Sequence, residues 1–136
     1  MDGLIIKPEW LLQIYEPVNP FTEPKTWEIR GSSTSKRGRI YLLESGSGLV
    51  TGETTIADCK PINGFDDWID NETKHQIPID GYLYAMATYN RKVYAWVFKD
   101  TVKYAKPMKY MKPKGAIIWV KNVENLIINR EETPHV

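Results

Sequence analysis

Six consecutive residues, Lys25-Thr26-Trp27-Glu28-Ile29-Arg30, bring an amine, a hydroxyl, a carboxylate and a guanidinium together in a strand-like run. Strand side chains alternate between faces, so Trp27 and Ile29 anchor one side while Thr26, Glu28 and Arg30 share the other. Lys25, just after Pro24, stands at the mouth of this polar face. Together these residues form a candidate polar site on a rigid support. The same spacing is also met by a solvated strand whose Glu28 and Arg30 form a weak surface ion pair.

The elements that would position these residues follow from the flanking sequence. Leu4-Ile5-Ile6 reads as a short buried strand. Pro8 suits the first turn of a helix running to Tyr15, with Glu9 at the positive end of its dipole. Pro17, Pro20 and Pro24 end that helix and impose an extended loop. Beyond Arg30 lies a basic loop, then strands at Arg39–Glu44 and Leu49–Cys59, the latter interrupted by Gly52. Phe65–His75 reads as one helix packing Phe65, Trp68 and Ile69, and Gly81–Thr88 fits a short helix or a strand. Val93–Phe98 is apolar nearly throughout and reads as a central strand. Lys103–Gly115 reads as a loop stiffened by Pro107 and Pro113, followed by a strand over Ala116–Val120 and a turn capped by Asn122. Short strands with one or two helices predict a small α+β barrel, one domain over residues 1–136.

Composition narrows the function. The 136 residues carry a net charge of +1, but basic residues concentrate from Arg91 to Lys121, with Asp100 the one acidic residue there, and acidic ones from Glu44 to Asp80. A charge-polarised molecule can steer an anion to one face. No apolar run spans a bilayer and the N-terminus lacks a signal pattern, so neither membrane nor secretion is expected. Cys59 is the only cysteine, which excludes an intrachain disulfide and points to a reducing, cytoplasmic setting. His75 and His135 have no zinc spacing, and the acidic stretch around Asp66, Asp67 and Asp70 reads as a solvated helix face. No metal or cofactor is expected.

In this order the elements resemble the ASCH (activating signal cointegrator homology) domain of the PUA-like superfamily. The resemblance rests on Ile5-Ile6-Lys7-Pro8, a helix, Lys25-x-x-Glu28-x-Arg30, and the Gly38-Arg39-Ile40-Tyr41 strand. It continues through Gly48-Leu49-Val50, Ala57-Asp58-Cys59, Tyr94-Ala95-Trp96-Val97 and a Pro-containing basic loop ending near Gly115. Glu23 stands where the family motif often has Gly, and the loop from Glu16 to Pro24 is long. The resemblance implies an α+β, PUA-like β-barrel with a helix after the first strand, and a cleft floored by the hexapeptide. A cleft of this kind suits a module for single-stranded RNA or a modified nucleotide. Lys36, Arg37 and Arg39 would meet the backbone there, and Lys106, Lys109, Lys112 and Lys114 are further backbone candidates. Tyr110, Trp27 or Tyr41 would stack a flipped base, although Trp27 reads more naturally as core.

Relatives that act on RNA imply an alternative, a hydrolase with Lys25 as base or activator once burial and Arg30 lower its pKa, Glu28 or Thr26 as its partner, and Arg30 stabilising developing negative charge. It would be a single-strand ribonuclease or an enzyme similar to the acetylcytidine amidohydrolases. In those amidohydrolases the nucleophilic Thr stands two residues before the Arg. This chain has Glu28 there, and Thr26 lies one pleat repeat away, roughly 6–7 Å. A third reading has the Lys103–Lys114 segment meeting an acidic protein partner.

Overall fold

Pro8 has a fixed φ and no amide proton to leave unpaired, and it starts a helix at the position the sequence indicates. In the computed structural model, which describes residues 1–128, the chain runs through β1 (Gly3–Ile6), α1 (Pro8–Tyr15), β2 (Trp27–Arg30), β3 (Gly38–Glu44) and β4 (Leu49–Pro61). It continues through α2 (Phe65–Asp70), α3 (Glu72–His75), α4 (Ile79–Thr88), β5 (Tyr94–Lys109), β6 (Trp119–Val120) and a 3-10 turn at Val123–Leu126. His135 lies outside the described residues. Among them, no helix is long and apolar enough to cross a membrane.

The strands form one six-stranded sheet in the order β2-β5-β4-β3-β1-β6. Only the β1–β3 pairing is parallel. The sheet curls into a half-barrel whose open seam lies between β2 and the edge formed by β1 with the short β6. Arg30 bridges that seam by donating from Nη2 to the Ile5 carbonyl at 2.9 Å. α1 lays Leu11 and Ile14 on Leu4, Ile6, Ile40, Leu42, Ile56, Trp96 and Phe98. On another side, Trp27, Ala95 and Val93 pack with Trp68 of α2 and with Tyr82 and Ala85 of α4. A third apolar cluster joins Ile5, Leu43 and Val50 to Tyr104, Tyr110, Val120 and Val123.

Several expectations need correction. Lys103–Gly115 is not a loop throughout, because β5 continues to Lys109. On β4, Gly52 pairs with Lys103 and Val50 with Met108, so the Tyr104–Pro107 stretch of β5 has extra residues. Pro107 sits in that bulged stretch, where its missing N–H breaks no ladder bond. Phe65–His75 breaks into two helices at Asn71, whose Nδ2 bonds back to the Asp67 carbonyl and carboxylate. Trp68 alone of the expected Phe65–Trp68–Ile69 face is buried, while Phe65 and Ile69 are exposed. Gly81–Thr88 is helical, within α4. The last strand shortens to Trp119–Val120, and Asn122 starts the 3-10 turn without a side-chain cap.

Candidate functional site

The open seam exposes β2 as an edge strand. Phe98 N donates to Thr26 O at 2.7 Å, which fixes the phase of the β2–β5 ladder. Glu28 opposite Trp96 and Arg30 opposite Tyr94 are then the hydrogen-bonded pairs. The N–H and C=O groups of Trp27 and Ile29 point away from β5, toward the free edge. α4 and the start of α1 stand on either side of that edge and enclose a cleft of about 510 Å³. Its walls are Trp10, Trp68, Ile77, Pro78, Tyr84, Ala85 and Tyr89, and its polar groups come from Lys7, Lys25, Glu28 and Asp80. Gly31 lets α4 close on β2, since a Cβ there would lie 2.4 Å from Cδ1 of Tyr89.

Lys25 is not at the mouth but buried, at 1% exposure. Its Nζ donates to the His75 carbonyl at 2.6 Å and lies 4.8 Å from the centroid of the Trp10 ring. Burial pushes its pKa down to about 8, and the nearby Glu28 carboxylate partly opposes that shift. His75 is held in one tautomer: Nδ1 accepts from Ile77 N at 3.0 Å, so Nε2 carries the proton and donates to the Trp68 carbonyl at 2.7 Å. Burial lowers the His75 pKa, keeping the ring neutral, and the ring packs on Trp68 at 4.1 Å. The α2–α3 corner is thus a rigid mount that aims a backbone carbonyl at the lysine.

Glu28 is also buried, and Arg30 engages it from Nε at 3.0 Å and from Nη2 at 2.9 Å. Both contacts go to Oε2, which leaves Oε1 for the cleft. Arg30 is further set by the Trp96 ring, 5.6 Å away. Trp68 contributes a buried indole N–H with no partner among the described residues. Its ring edge faces Gly81, whose absent Cβ would be 4.0 Å from Cζ2. A buried donor without an acceptor is uncommon and calls for an explanation.

Other expected residues lie elsewhere. Thr26 is exposed and lines a neighbouring depression with Thr73, Lys74 and Asp100, so it does not join Glu28 and Arg30. Lys36 pairs with Asp2 at 2.8 Å and lies 5.9 Å from the Trp119 ring. Arg37 bonds the Thr34 and Lys36 carbonyls and approaches Asp58 at 3.8 Å. Arg39 engages Glu53, Thr55 and the Asp100 carbonyl. None of the three lines the cleft. Lys106, Lys109, Lys112 and Lys114 are exposed and also outside it. Tyr110 cannot stack a base, because it is 5% exposed and packed in the third apolar cluster. Tyr41 packs partly buried against the same cluster, and Trp27 is core as expected. Lys7, Trp10, Trp68, Tyr84 and Tyr89 also line the cleft. Their convergence depends on how α1, α2 and α4 pack, which local spacing does not reveal. Among the described residues no group of His, Cys, Asp and Glu is placed to hold a metal ion.

Fold and site together define a small α+β PUA-like barrel with an aromatic-walled cleft at its seam. The fold is that of the ASCH domain. The ASCH protein of Zymomonas mobilis superimposes with a TM-score of 0.64 at 14% identity, over 91% of this chain and 90% of that one. Two point mutants of that protein superimpose equally well. The one with a tyrosine replaced by phenylalanine gives 0.66 at 14% identity, over 91% of this chain and 92% of that one. The one with a serine replaced by alanine gives 0.64 at 15%, over 91% and 90%. No protein-family profile matches the sequence, and no curated protein is detectably similar to it.

Proposed function

We propose that the protein binds single-stranded RNA or a modified nucleotide by taking one unstacked base into the cleft at the β2 edge. The observation that carries this reading is the strip of hydrogen-bonding groups along that edge, set inside aromatic walls. Glu28 Oε1 accepts from an exocyclic amine, as acidic side chains do from cytosine N4. The Ile29 N–H and C=O read the adjoining ring positions. Trp68 Nε1 and Lys25 Nζ supply donors for a base carbonyl. Trp10, Tyr84 and Tyr89 offer faces for stacking, which favours an unpaired base over a duplex. Cys59, the single thiol, suits a reducing cytoplasm where such ligands occur.

A second reading, hydrolysis with Lys25 as base, is favoured by the lysine's pKa of about 8. An appreciable fraction of the amine is then neutral near physiological pH. The two readings part in one experiment: single-stranded RNA and cytidine derivatives incubated with wild type and Lys25→Ala, with binding and products both followed. Binding that fails in Glu28→Gln, with no product from wild type, supports the module. Product that vanishes in Lys25→Ala while RNA is still bound supports the enzyme. Absence of any RNA or nucleotide binding would overturn both.

A further inference from the structure

The cleft does not end at Glu28. It continues along the seam into a second lobe of about 310 Å³ that reaches Ser45 and Ile117. Lys7, Trp10, Glu28, Ile29 and Tyr89 line both lobes and form the waist between them. The lobes differ in charge. Under α4, Lys7 and Lys25 face Glu28 and Asp80, whereas in the second lobe Lys7 and Arg30 face Glu28 alone.

The second lobe also holds donors that the protein does not use. Arg30 commits Nε and Nη2 to Glu28 and to the Ile5 carbonyl, while Nη1 has no partner among the described residues. Lys7 is exposed beside Pro8, and neither its Nζ nor the Ser45 hydroxyl bonds to another described residue. Glu28, paired with Arg30 through Oε2, offsets one of the two positive charges and leaves the other, so the lobe stays net cationic. An oxyanion in this lobe would meet a guanidinium N–H pair, an ammonium and a hydroxyl. That donor set is matched to phosphate, with Arg supplying direction and Lys a mobile charge.

We propose that the second lobe is a phosphate subsite, so that the cleft seats a nucleotide with its base under α4 and its phosphate between Lys7, Arg30 and Ser45. The proposal rests on the base-binding reading and adds to it the polarity of the ligand. The seam geometry makes the division natural: one strand edge runs from the apolar lobe to the cationic one, and Arg30 marks the border.

The test is a titration of wild type, Lys7→Ala and Lys7→Glu with cytidine and guanosine, their 5′- and 3′-monophosphates, and the corresponding dinucleoside monophosphates. Lys7 has an exposed side chain that bonds to no described residue, so both variants are expected to fold as wild type does. The expected result is that one phosphate position tightens binding about tenfold over the nucleoside. Lys7→Ala should remove most of that gain and Lys7→Glu all of it, read for each variant as the ratio of its nucleotide affinity to its own nucleoside affinity. A phosphodiester that binds as well as the monoester assigns the subsite to RNA backbone. A clear preference for the monoester assigns it to a free nucleotide. Nucleoside and nucleotide binding equally, or a gain that survives Lys7→Glu, would overturn the subsite and leave the base reading intact. Phosphate-dependent binding without any contribution from the base would refute the base reading and keep the subsite. If no ligand binds, both fall.

Discussion

Among the described residues, two arginine–glutamate pairs sit on this barrel, and they end in different states. On the outer sheet, Arg39 Nε meets Glu53 Oε2 at 2.5 Å, Nη1 donates to Thr55 Oγ1 and the Asp100 carbonyl, and Tyr104 donates to Glu53 Oε1 at 2.7 Å. Both carboxylate oxygens are occupied there, and neither residue lines either lobe of the cleft. At the seam, Arg30 and Glu28 leave Nη1 and Oε1 without a partner among the described residues, and both residues line the cleft. The same residue types serve a lattice in one place and a site in the other. What separates them is unfilled hydrogen-bonding capacity beside an enclosed space.

Removing the carboxylate should expose that difference most strongly. Glu28→Ala leaves Arg30 and Lys25 without their counter-charge in a buried setting, which costs about 2–4 kcal/mol in urea unfolding. RNA affinity should fall at least about tenfold with it. The Lys25 pKa should fall further, since Glu28 is what holds it up.

The second expectation concerns pH. Lys25 titrates near 8 in the folded protein and near 10.5 when unfolded. Above pH 8 the unfolded chain therefore binds more protons than the native one, and stability rises with pH. Wild type should gain about 1–2 kcal/mol between pH 8 and about 9.5, and Lys25→Met should lack the gain. The window closes near pH 10, where the raised pKa values of Tyr15 and Tyr104 reverse the slope. A wild-type curve flat from pH 7 to 9.5 would mean that Lys25 is not charged and buried as described.

Gly31→Ala tests the closure of the cleft without touching a polar group. Its Cβ would press on the Tyr89 ring and displace the end of α4, at a cost of about 1–3 kcal/mol and with weaker RNA binding. Arg39→Ala is the counterpart from the other pair. Denaturation should show a loss of about 1 kcal/mol, while RNA affinity stays within about twofold. An equal loss of affinity in Arg39→Ala and Arg30→Ala would abolish the distinction between the two pairs. Lys112→Ala and Lys114→Ala should do least, changing affinity by less than about twofold even at low salt.

The parts of this arrangement that the sequence revealed are local ones. Pro8 and Pro17 bracket α1 closely enough for its span to be read directly, whereas the alternation along Trp27–Arg30 separates two faces but not core from surface, since Glu28 is buried and Ile29 only partly. Gly52 marked a real irregularity, because the β4 register shifts beside it. The misreadings depend on contacts between distant segments. Pro107 signals a loop until it is known to sit in a bulge. Lys25 follows a proline-rich loop and reads as exposed, yet the α2–α3 corner, fifty residues on, supplies the carbonyl that buries it. The basic loops read as phosphate contacts by composition, and the structure adds only that Lys36 and Arg39 carry ion-pair partners in Asp2 and Glu53. Charge counts cannot distinguish an engaged cation from an available one.

The chain's five tryptophans report on these regions separately, through the indole ¹⁵N–¹H signals of one labelled sample. Trp10 and Trp68 line the cleft, Trp27 is core, Trp96 donates to the Ser32 carbonyl, and Trp119 lies beneath Lys36. Titration with a short single-stranded RNA is predicted to move the Trp10 and Trp68 indole signals, Trp68 most because its N–H gains an acceptor. Trp27 and Trp119 should stay in place. Movement of Trp119 with Trp68 unmoved would put the ligand on the Lys36 face and contradict a site built on the β2 edge.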